Sequence, residues 1–341
     1  MAEPTQMHRE VREIPDAVDR LLSRGAPAIA AAAAAIRDLD PPFLLSVARG
    51  SSDHACTFLK YASELILRRP VASVGPSVTS VYGVDLRCRG AVALAVSQSG
   101  ASPDIVRMTA SLERGGAHTV ALTNDPGSDL AAAARTVLPI HAGPETSVAA
   151  TKTFVTSAVA GLWLVAEVAG DAGLLDAIAA LPRRLEDATR CDWGEAAAAV
   201  DGRSLFTIGR GPSWAIANEA ALKFKETCRI HAESYSSAEV LHGPVSIVGD
   251  GFPVIAFAAA DAAEADVARV ADGLVDKGAR AFATTARATR ATVLPHVRTG
   301  HGLTDPIAAV VSFYAMVETV ARARGIDPDR PRYLRKVTAT V

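Results

Sequence analysis

The sequence predicts an α/β protein in which parallel β-sheets are flanked by helices. Apolar runs of strand length alternate with segments of helical length, and short turns rich in glycine and serine separate them. The chain has 341 residues, which favours two domains over one. Several landmarks also occur twice, so we expect the second half to repeat the first.

The first half is predicted to begin with two helices and to continue with alternating strands and helices. The first two helices are expected over 8–23 and 26–39. Strands are then predicted at 43–48, 71–75, 91–96, 117–122 and 136–140, and helices at 53–67, 103–114 and 149–168. The longest apolar stretch, 155–168, is too short to span a bilayer and is predicted to be a buried helix.

The second half repeats landmarks of the first at an offset of 161 residues. Arg49-Gly50-x-Ser52 recurs as Arg210-Gly211-x-Ser213, and the strand 93–96 falls on 254–257. We infer a duplicated domain. The predicted boundaries are N-terminal helices at 1–40, a first domain at 41–170, connecting helices at 171–200, a second domain at 201–326 and a C-terminal tail at 327–341.

Composition and charge exclude several classes of function. The formal net charge is −2 and no run of lysine and arginine stands out, so we expect no nucleic-acid surface. The four cysteines are scattered without metal-ligand spacing, as in a protein with reduced thiols. The first ten residues are polar and lack the apolar segment of a signal peptide. We therefore expect a soluble cytoplasmic protein without a membrane partner.

The segment Ser97–Gly100 has the pattern of an anion-binding loop. It follows the apolar strand 91–96 and precedes a helix that starts with Ser102 as N-cap and Pro103 at the first position. Free N–H groups and the helix dipole would attract an anion there, and hydroxyls would add donors. An ordinary polar strand-to-helix turn explains the same residues. In the second half the equivalent segment is Ala258–Asp261, which cannot hold a phosphate.

The predicted helix 214–228 carries Glu219, Lys223 and Glu226 on one face, at spacing i, i+4, i+7. A solvated row of salt bridges has the same spacing. However, this helix starts at a sheet edge of the kind where α/β proteins bind ligands. His242 follows in a loop, either as a structural histidine or as a proton carrier, because imidazole titrates near neutral pH.

The C-terminal tail is basic and contains Lys336 between Leu334 and Val337. It could be a frayed terminus. Alternatively, an apolar site could take up the Lys336 amine, which in its neutral form attacks carbonyl groups.

Seven motifs in this order resemble those of tandem sugar-isomerase (SIS) domain proteins. They are Arg49-Gly50-Ser51-Ser52, Ser97-Gln98-Ser99-Gly100, Ser147-Val148-Ala149-Ala150-Thr151-Lys152, Glu219-Ala220-Ala221-Leu222-Lys223-Phe224-Lys225-Glu226, His231-Ala232-Glu233, His242-Gly243-Pro244 and Pro331-Arg332-x-Leu334-x-Lys336-Val337-Thr338. The chain is similar to the isomerase half of glutamine:fructose-6-phosphate amidotransferases and more similar to stand-alone glucosamine-6-phosphate deaminases. The resemblance implies two flavodoxin-like, three-layer α/β/α domains.

The resemblance also implies a role for each matching residue. The sugar phosphate would be bound by Ser51, Ser52, Ser97, Gln98, Ser99 and Ser102. Val148 would offer a backbone contact to the sugar, and Glu226 would move a proton between C1 and C2. His242 would open the sugar ring from the partner subunit of a homodimer. Lys336 would lie at the carbonyl and could form a Schiff base, with Glu219 and Lys223 as supporting charges. No metal or cofactor is implied.

Two departures from the amidotransferases indicate the direction of the reaction. Ala101 stands where those enzymes carry an acidic residue, and the chain enters the isomerase pattern within about ten residues of Met1, without a glutaminase domain before it. We therefore expect an amino-sugar 6-phosphate to be converted into a ketose phosphate and ammonia. The alternatives are an aldose–ketose phosphosugar isomerase, a deglycase of sugar–amino-acid adducts, ammonia-dependent glucosamine-6-phosphate synthesis and a non-catalytic sugar-phosphate sensor.

Overall fold

The computed structural model describes residues 3–336, and its two parallel five-stranded sheets confirm the α/β prediction. The described chain forms two compact units. The first-sheet unit comprises residues 16–145, 152–179 and 335–336, and the second-sheet unit comprises residues 3–15, 146–151 and 180–334. Residues 337–341 of the predicted tail lie outside the described residues.

The N-terminal helices break at a different place from the one predicted. Helix α1 is Gln6–Arg12 and α2 is Ile14–Leu39, so the predicted break near residue 25 is wrong. The break falls at Glu13, because Pro15 occupies the first turn of α2, where its missing N–H costs nothing.

The first sheet contains all five predicted strands of its half. They are β1 (Leu44–Val47), β2 (Val71–Ser73), β3 (Val92–Val96), β4 (His118–Thr123) and β5 (Thr136–Pro139), in the order β2-β1-β3-β4-β5. The helices of this unit after α2 are α3 (Ser51–Ile66), α4 (Ser77–Ser80), α5 (Pro103–Arg114), α6 (Asp129–Ala133), α7 (Lys152–Ala169) and α8 (Ala172–Ala179). Helices α4 and α6 were not predicted, since four or five residues carry no readable helical period.

The second sheet repeats this topology. After α9 (Leu181–Ala188) and α10 (Gly194–Ala199), its strands are β6 (Ser204–Gly209), β7 (His231–Ser236), β8 (Pro253–Ala256), β9 (Arg280–Ala283) and β10 (Thr292–Val293), in the order β10-β9-β8-β6-β7. Its helices are α11 (Pro212–Cys228), α12 (Glu264–Val275) and α13 (Asp305–Ala323), with short 3₁₀ turns at Glu239–Leu241 and Pro244–Ile247. In each sheet the first strand therefore pairs with the second and the third, and the predicted duplication is confirmed.

The equivalent turns of the two halves share one backbone conformation. Gly50 has φ 55° and ψ −132°, and Gly211 has φ 56° and ψ −133°. Positive φ favours glycine, which explains why both copies of the motif keep it.

Helices α7 and α13 are long and apolar enough to cross a membrane by length and composition alone. In the structure, 78% of the apolar window of each helix is buried within the protein. Both are therefore packed as core helices, as predicted for residues 155–168.

Candidate active site

The candidate anion site lies at the carboxyl end of β1 and β3. These neighbouring parallel strands lead into helices that return on opposite sides, and open α/β sheets bind ligands at such a point. Ser51 and Ser52 begin α3 after β1, while residues 97–102 connect β3 to α5. The structure therefore brings these predicted phosphate-binding residues to one edge of the first sheet.

Internal hydrogen bonds hold the loop 97–102 in a tight turn. Ser97 Oγ accepts a hydrogen bond from the Gly100 N–H at 3.2 Å, and Ser99 Oγ accepts one from the Ala101 N–H at 3.3 Å. The Gly100 carbonyl accepts from the Leu130 N–H at 3.0 Å. Ser102 is the N-cap residue of α5 and Pro103 its first residue, as predicted, although within residues 3–336 the Ser102 hydroxyl makes no capping hydrogen bond.

An ion pair links the turn after β1 to the start of α5. The Arg49 Nε and Nη2 atoms donate to Asp104 Oδ2 at 3.0 and 2.9 Å, and the Asp104 side chain is buried. A longer contact of 3.9 Å joins Arg210 to Asp266 in the second half. The pairing of Arg49 with Asp104 fixes the two helix starts relative to each other.

We predict that Gly100→Ala destabilises the fold and weakens sugar-phosphate binding. Gly100 has φ +60°, and a Cβ there would collide with the Ser128 side chain. Left-handed strain and overpacking together should cost about 2–4 kcal/mol of unfolding free energy. Gly170→Ala is the matched control: Gly170 has φ +65° with no atom of the described residues within 4 Å of a Cβ, so it should lose only about 1 kcal/mol. Urea denaturation with and without fructose 6-phosphate measures the stability of each variant and its stabilisation by the ligand. Equal losses of stability in Gly100→Ala and Gly170→Ala would contradict the clash with Ser128.

The equivalent loop of the second half uses its donors internally. The Ala258 N–H donates to Thr284 Oγ1 at 2.9 Å, and the Ala260 N–H donates to Asp305 Oδ2 at 2.9 Å. Asp305 is buried and also accepts a hydrogen bond from Arg298 at 3.2 Å. The Asp305 carboxylate thus occupies the Ala260 amide and the Thr284 hydroxyl occupies the Ala258 amide, in agreement with the loss of serine from this loop.

Glu219, Lys223 and Glu226 form a largely buried charged cluster on α11, not a solvated row. The side chains of Glu219 and Lys223 are 0% exposed, and that of Glu226 is 20% exposed. Lys223 Nζ lies 3.3 Å from Glu219 Oε1 and donates to Glu226 Oε2. The Tyr314 hydroxyl donates to Glu219 Oε1 at 3.0 Å.

This cluster keeps Lys223 as a cation. Burial alone would lower the pKa of Lys223, but the charges and hydrogen bonds of Glu219 and Glu226 outweigh it and raise the pKa above its usual value. Lys223 is therefore unsuited to act as a neutral nucleophile. Its ammonium orients the carboxylate of Glu226, the most exposed group of the three.

His242 lies in an exposed loop between the two 3₁₀ turns. Its backbone N–H donates to the Glu239 carbonyl at 2.9 Å, and Gly243 follows with φ +131°. His242 is therefore accessible to solvent.

Lys336 pairs with a buried carboxylate. Its Nζ lies 2.8 Å from Glu145 Oε2, and the side chains of Lys336 and Glu145 are 23% and 0% exposed. Lys336 is thus not part of a frayed terminus. The expected apolar surroundings are also wrong, because the partner of the amine is an anion.

Val148 lies in a loop that acidic residues hold in place. Its N–H donates to the Asp329 carbonyl at 3.3 Å. The carboxylate of Glu10 accepts hydrogen bonds from Thr146 and Ser147, the two residues that precede Val148. The Asp329 side chain accepts from the Gln6 and Met7 N–H groups, each at 2.7 Å.

Sequence reasoning gave no role to Glu10, Glu145 or Asp329. One signal was present, since Glu145 lies two positions before the Ser147–Lys152 motif. Only the fold shows that these carboxylates hold candidate site segments.

The SIS domain model matches residues 44–166 and 200–319. The chain belongs to the SIS domain family. Among curated SIS relatives, it is 35% identical over 311 residues to the glutamine–fructose-6-phosphate aminotransferase (isomerizing) of Pyrobaculum aerophilum. The match covers 86% of this chain and 51% of that protein. The chain spans about half the length of the curated relatives it matches.

Two solved structures show the same tandem SIS architecture. A protein of Silicibacter pomeroyi described as a candidate phosphosugar isomerase is 63% identical, with a TM-score of 0.93 over 96% of this chain and 100% of that chain. Glucosamine-6-phosphate deaminase of Thermotoga maritima is 18% identical, with a TM-score of 0.77 over 98% of this chain and 100% of that chain. The second likeness concerns the fold alone. The family match and the likeness to the Silicibacter protein therefore place the chain among tandem SIS domain proteins.

Proposed function

We propose that this SIS protein is an amino-sugar-6-phosphate deaminase and isomerase that converts glucosamine 6-phosphate into fructose 6-phosphate and ammonia. The observation that carries the proposal is the Glu219–Lys223–Glu226 cluster. It holds one partly exposed carboxylate, Glu226, against a buried cation in a chain that also keeps the serine loop. A sensor would need the loop but would have no use for an oriented base.

In the proposed reaction, the serine loop and the start of α5 hold the phosphate, and this remote binding orients the reacting carbons. His242 transfers a proton as the ring opens. Glu226 removes the C2 proton and returns it to C1, which converts the C2 amine into a C2 imine. Water then replaces nitrogen at C2, giving the ketose and ammonia. General acid–base groups contribute about 10²–10⁴-fold each to such steps.

The proposal also includes a role for Lys336 and a homodimer. Lys336 would bind the ketose carbonyl, through a Schiff base in the direction from ketose to amino sugar. The exposure of His242 is compatible with its serving a second copy of the chain in a homodimer. The proposed site of action is the cytoplasm.

A simple aldose–ketose isomerase is the second candidate. The description of the 63% identical Silicibacter protein as a candidate phosphosugar isomerase favours it. Glu226 would serve as the base in both reactions, so products must distinguish them.

The deciding experiment measures ammonia and ketose phosphate released from glucosamine 6-phosphate, galactosamine 6-phosphate and N-acetylglucosamine 6-phosphate. Interconversion of glucose 6-phosphate and fructose 6-phosphate is measured in parallel. We expect equal amounts of ammonia and fructose 6-phosphate from glucosamine 6-phosphate. Interconversion without ammonia from any amino sugar would establish the simple isomerase instead, and binding without turnover would favour a sensor.

A further inference from the structure

The contact between Lys336 and Glu145 ties the end of the described tail to the body of the first-sheet unit. Residues 332–335 are exposed, and Tyr333 is 87% exposed. Lys336 is the first residue after this stretch that is partly buried, with its Nζ 2.8 Å from Glu145 Oε2. The ion pair therefore helps to fix the position of the amine at the end of the described tail.

The Glu145 carboxylate is itself rigidly placed. It accepts a hydrogen bond from the Thr153 N–H at 3.1 Å and one from Thr153 Oγ1 at 2.7 Å, in the first turn of α7. The positive end of the helix dipole favours a carboxylate at that position. Arg20 holds the chain just before it, donating to the carbonyls of His141 and Ala142 at 3.1 and 2.8 Å. The position of the buried Glu145 carboxylate is thus also fixed by contacts other than the one with Lys336.

We propose that Glu145 is the positioning residue of Lys336 and the acceptor of its proton. This inference rests on the proposed function, in which the Lys336 amine adds to a sugar carbonyl. An ammonium has no lone pair with which to attack, so one proton must leave Nζ first. Glu145 Oε2 is already in hydrogen-bond contact with that nitrogen and can take the proton without any movement of the tail.

The step balances without another reactant. The Lys336 ammonium gives one proton to the Glu145 carboxylate, and the nitrogen lone pair forms a bond to the carbonyl carbon. The carbonyl π electrons move to oxygen, which takes up the second nitrogen proton to give a carbinolamine. Glu145 then returns its proton to that hydroxyl, which leaves as water. The C=N bond remains, and Glu145 is a carboxylate again.

The anchoring is tested by limited trypsin digestion of the full folded chain, followed by mass spectrometry of cleavage after Arg335. Lys336→Met and Glu145→Gln each remove the ion pair, and each should accelerate this cleavage, by about 10–100-fold for Lys336→Met, because a buried charge-assisted contact is lost. The cleavage rates of synthetic tail peptides with Lys or Met at position 336 correct for the effect of that residue on trypsin cleavage in an unfolded chain. Glu167→Gln, at the far end of α7, is the matched control and should cleave like the native chain. Equal cleavage rates in all chains would overturn the anchoring, whether or not the protein is a deaminase.

The proton transfer is tested by borohydride trapping with fructose 6-phosphate and intact mass measurement. The native chain should gain one reduced sugar adduct at Lys336. Glu145→Gln keeps the size of the side chain but cannot accept a proton, so trapping should slow by about 10²-fold at neutral pH and recover as the pH rises. An unchanged rate and pH profile would overturn the proton transfer. Absence of the adduct in the native chain would overturn the Schiff base as well, while the digestion still decides the anchoring.

Discussion

Replacement of Glu226 by glutamine is expected to abolish ammonia release while sugar-phosphate binding stays within about twofold. Loss of a general base typically lowers turnover by about 10²–10⁴-fold. Glutamine keeps the length of the side chain and an oxygen that accepts from Lys223, so the cluster on α11 stays folded. The proposed phosphate-binding residues belong to the first-sheet unit and Glu226 to the second-sheet unit, so we expect phosphate binding to persist.

The measurement is the ammonia-release rate with saturating glucosamine 6-phosphate, together with the affinity for fructose 6-phosphate. Glu233→Gln is the matched control, because Glu233 lies on β7 of the same unit with its side chain 44% exposed. It should keep turnover within a factor of two or so of the native rate. Near-normal turnover in Glu226→Gln would mean that another group is the base.

The largest loss of stability is expected from Lys223→Met. Removing the cation leaves the carboxylates of Glu219 and Glu226 close together without the ammonium that lies between them. Breaking a buried ion pair from one side typically costs about 3–5 kcal/mol. Lys225→Met is the control two positions along α11, since Lys225 is exposed and its Nζ donates to the Ala232 backbone carbonyl rather than to a carboxylate. That change should cost about 0.5 kcal/mol or less.

The pH dependence of the native chain follows from the direction of the Lys223 shift. Folding raises the pKa of Lys223 above its value of 10.5 in the unfolded chain. Its stabilising contribution is therefore complete below pH 10.5 and declines only as the pH rises through the higher folded value. Urea denaturation at pH 7 and at pH 11 measures the stability that Lys223→Met loses and the decline of native stability with rising pH. If Lys223→Met lost no more stability than Lys225→Met at pH 7, Lys223 could not be the compensating cation.

The double variant Lys223→Met with Glu219→Gln separates charge from packing. It removes one carboxylate along with the cation, so it should regain part of the stability lost by Lys223→Met alone. No recovery would indicate that the loss comes from packing around the lysine stem.

Some elements could not be predicted from their own residues. The strand β7 has the polar sequence His231–Ser236 and was not predicted, because it is the edge strand of its sheet and its side chains are mostly not buried. Strand β10 has two residues and leaves no pattern to find. By contrast, β3 and α5 were predicted within one residue, since the apolar run and the Ser102–Pro103 start are local signals.

The candidate site likewise has some features that could be predicted from the sequence and others that could not. Glu219, Lys223 and Glu226 could be placed on one face of a helix from their spacing. Their burial could not be predicted, because the residues that cover them are distant in the chain, such as Tyr314, which lies 95 positions after Glu219. The partner of Lys336 is likewise distant, and only the fold shows that it is a buried acid rather than an apolar pocket.

The order of strands and helices, the doubled turn at Gly50 and Gly211, the serine loop and the family resemblance were all determined by the sequence itself. Each depends on residues close together in the chain, whose period and turn chemistry act locally. Only the tertiary structure decided which charges are buried and which groups compensate them. Burial is a property of long-range packing, and a buried charge is stable only when distant residues bring its partner.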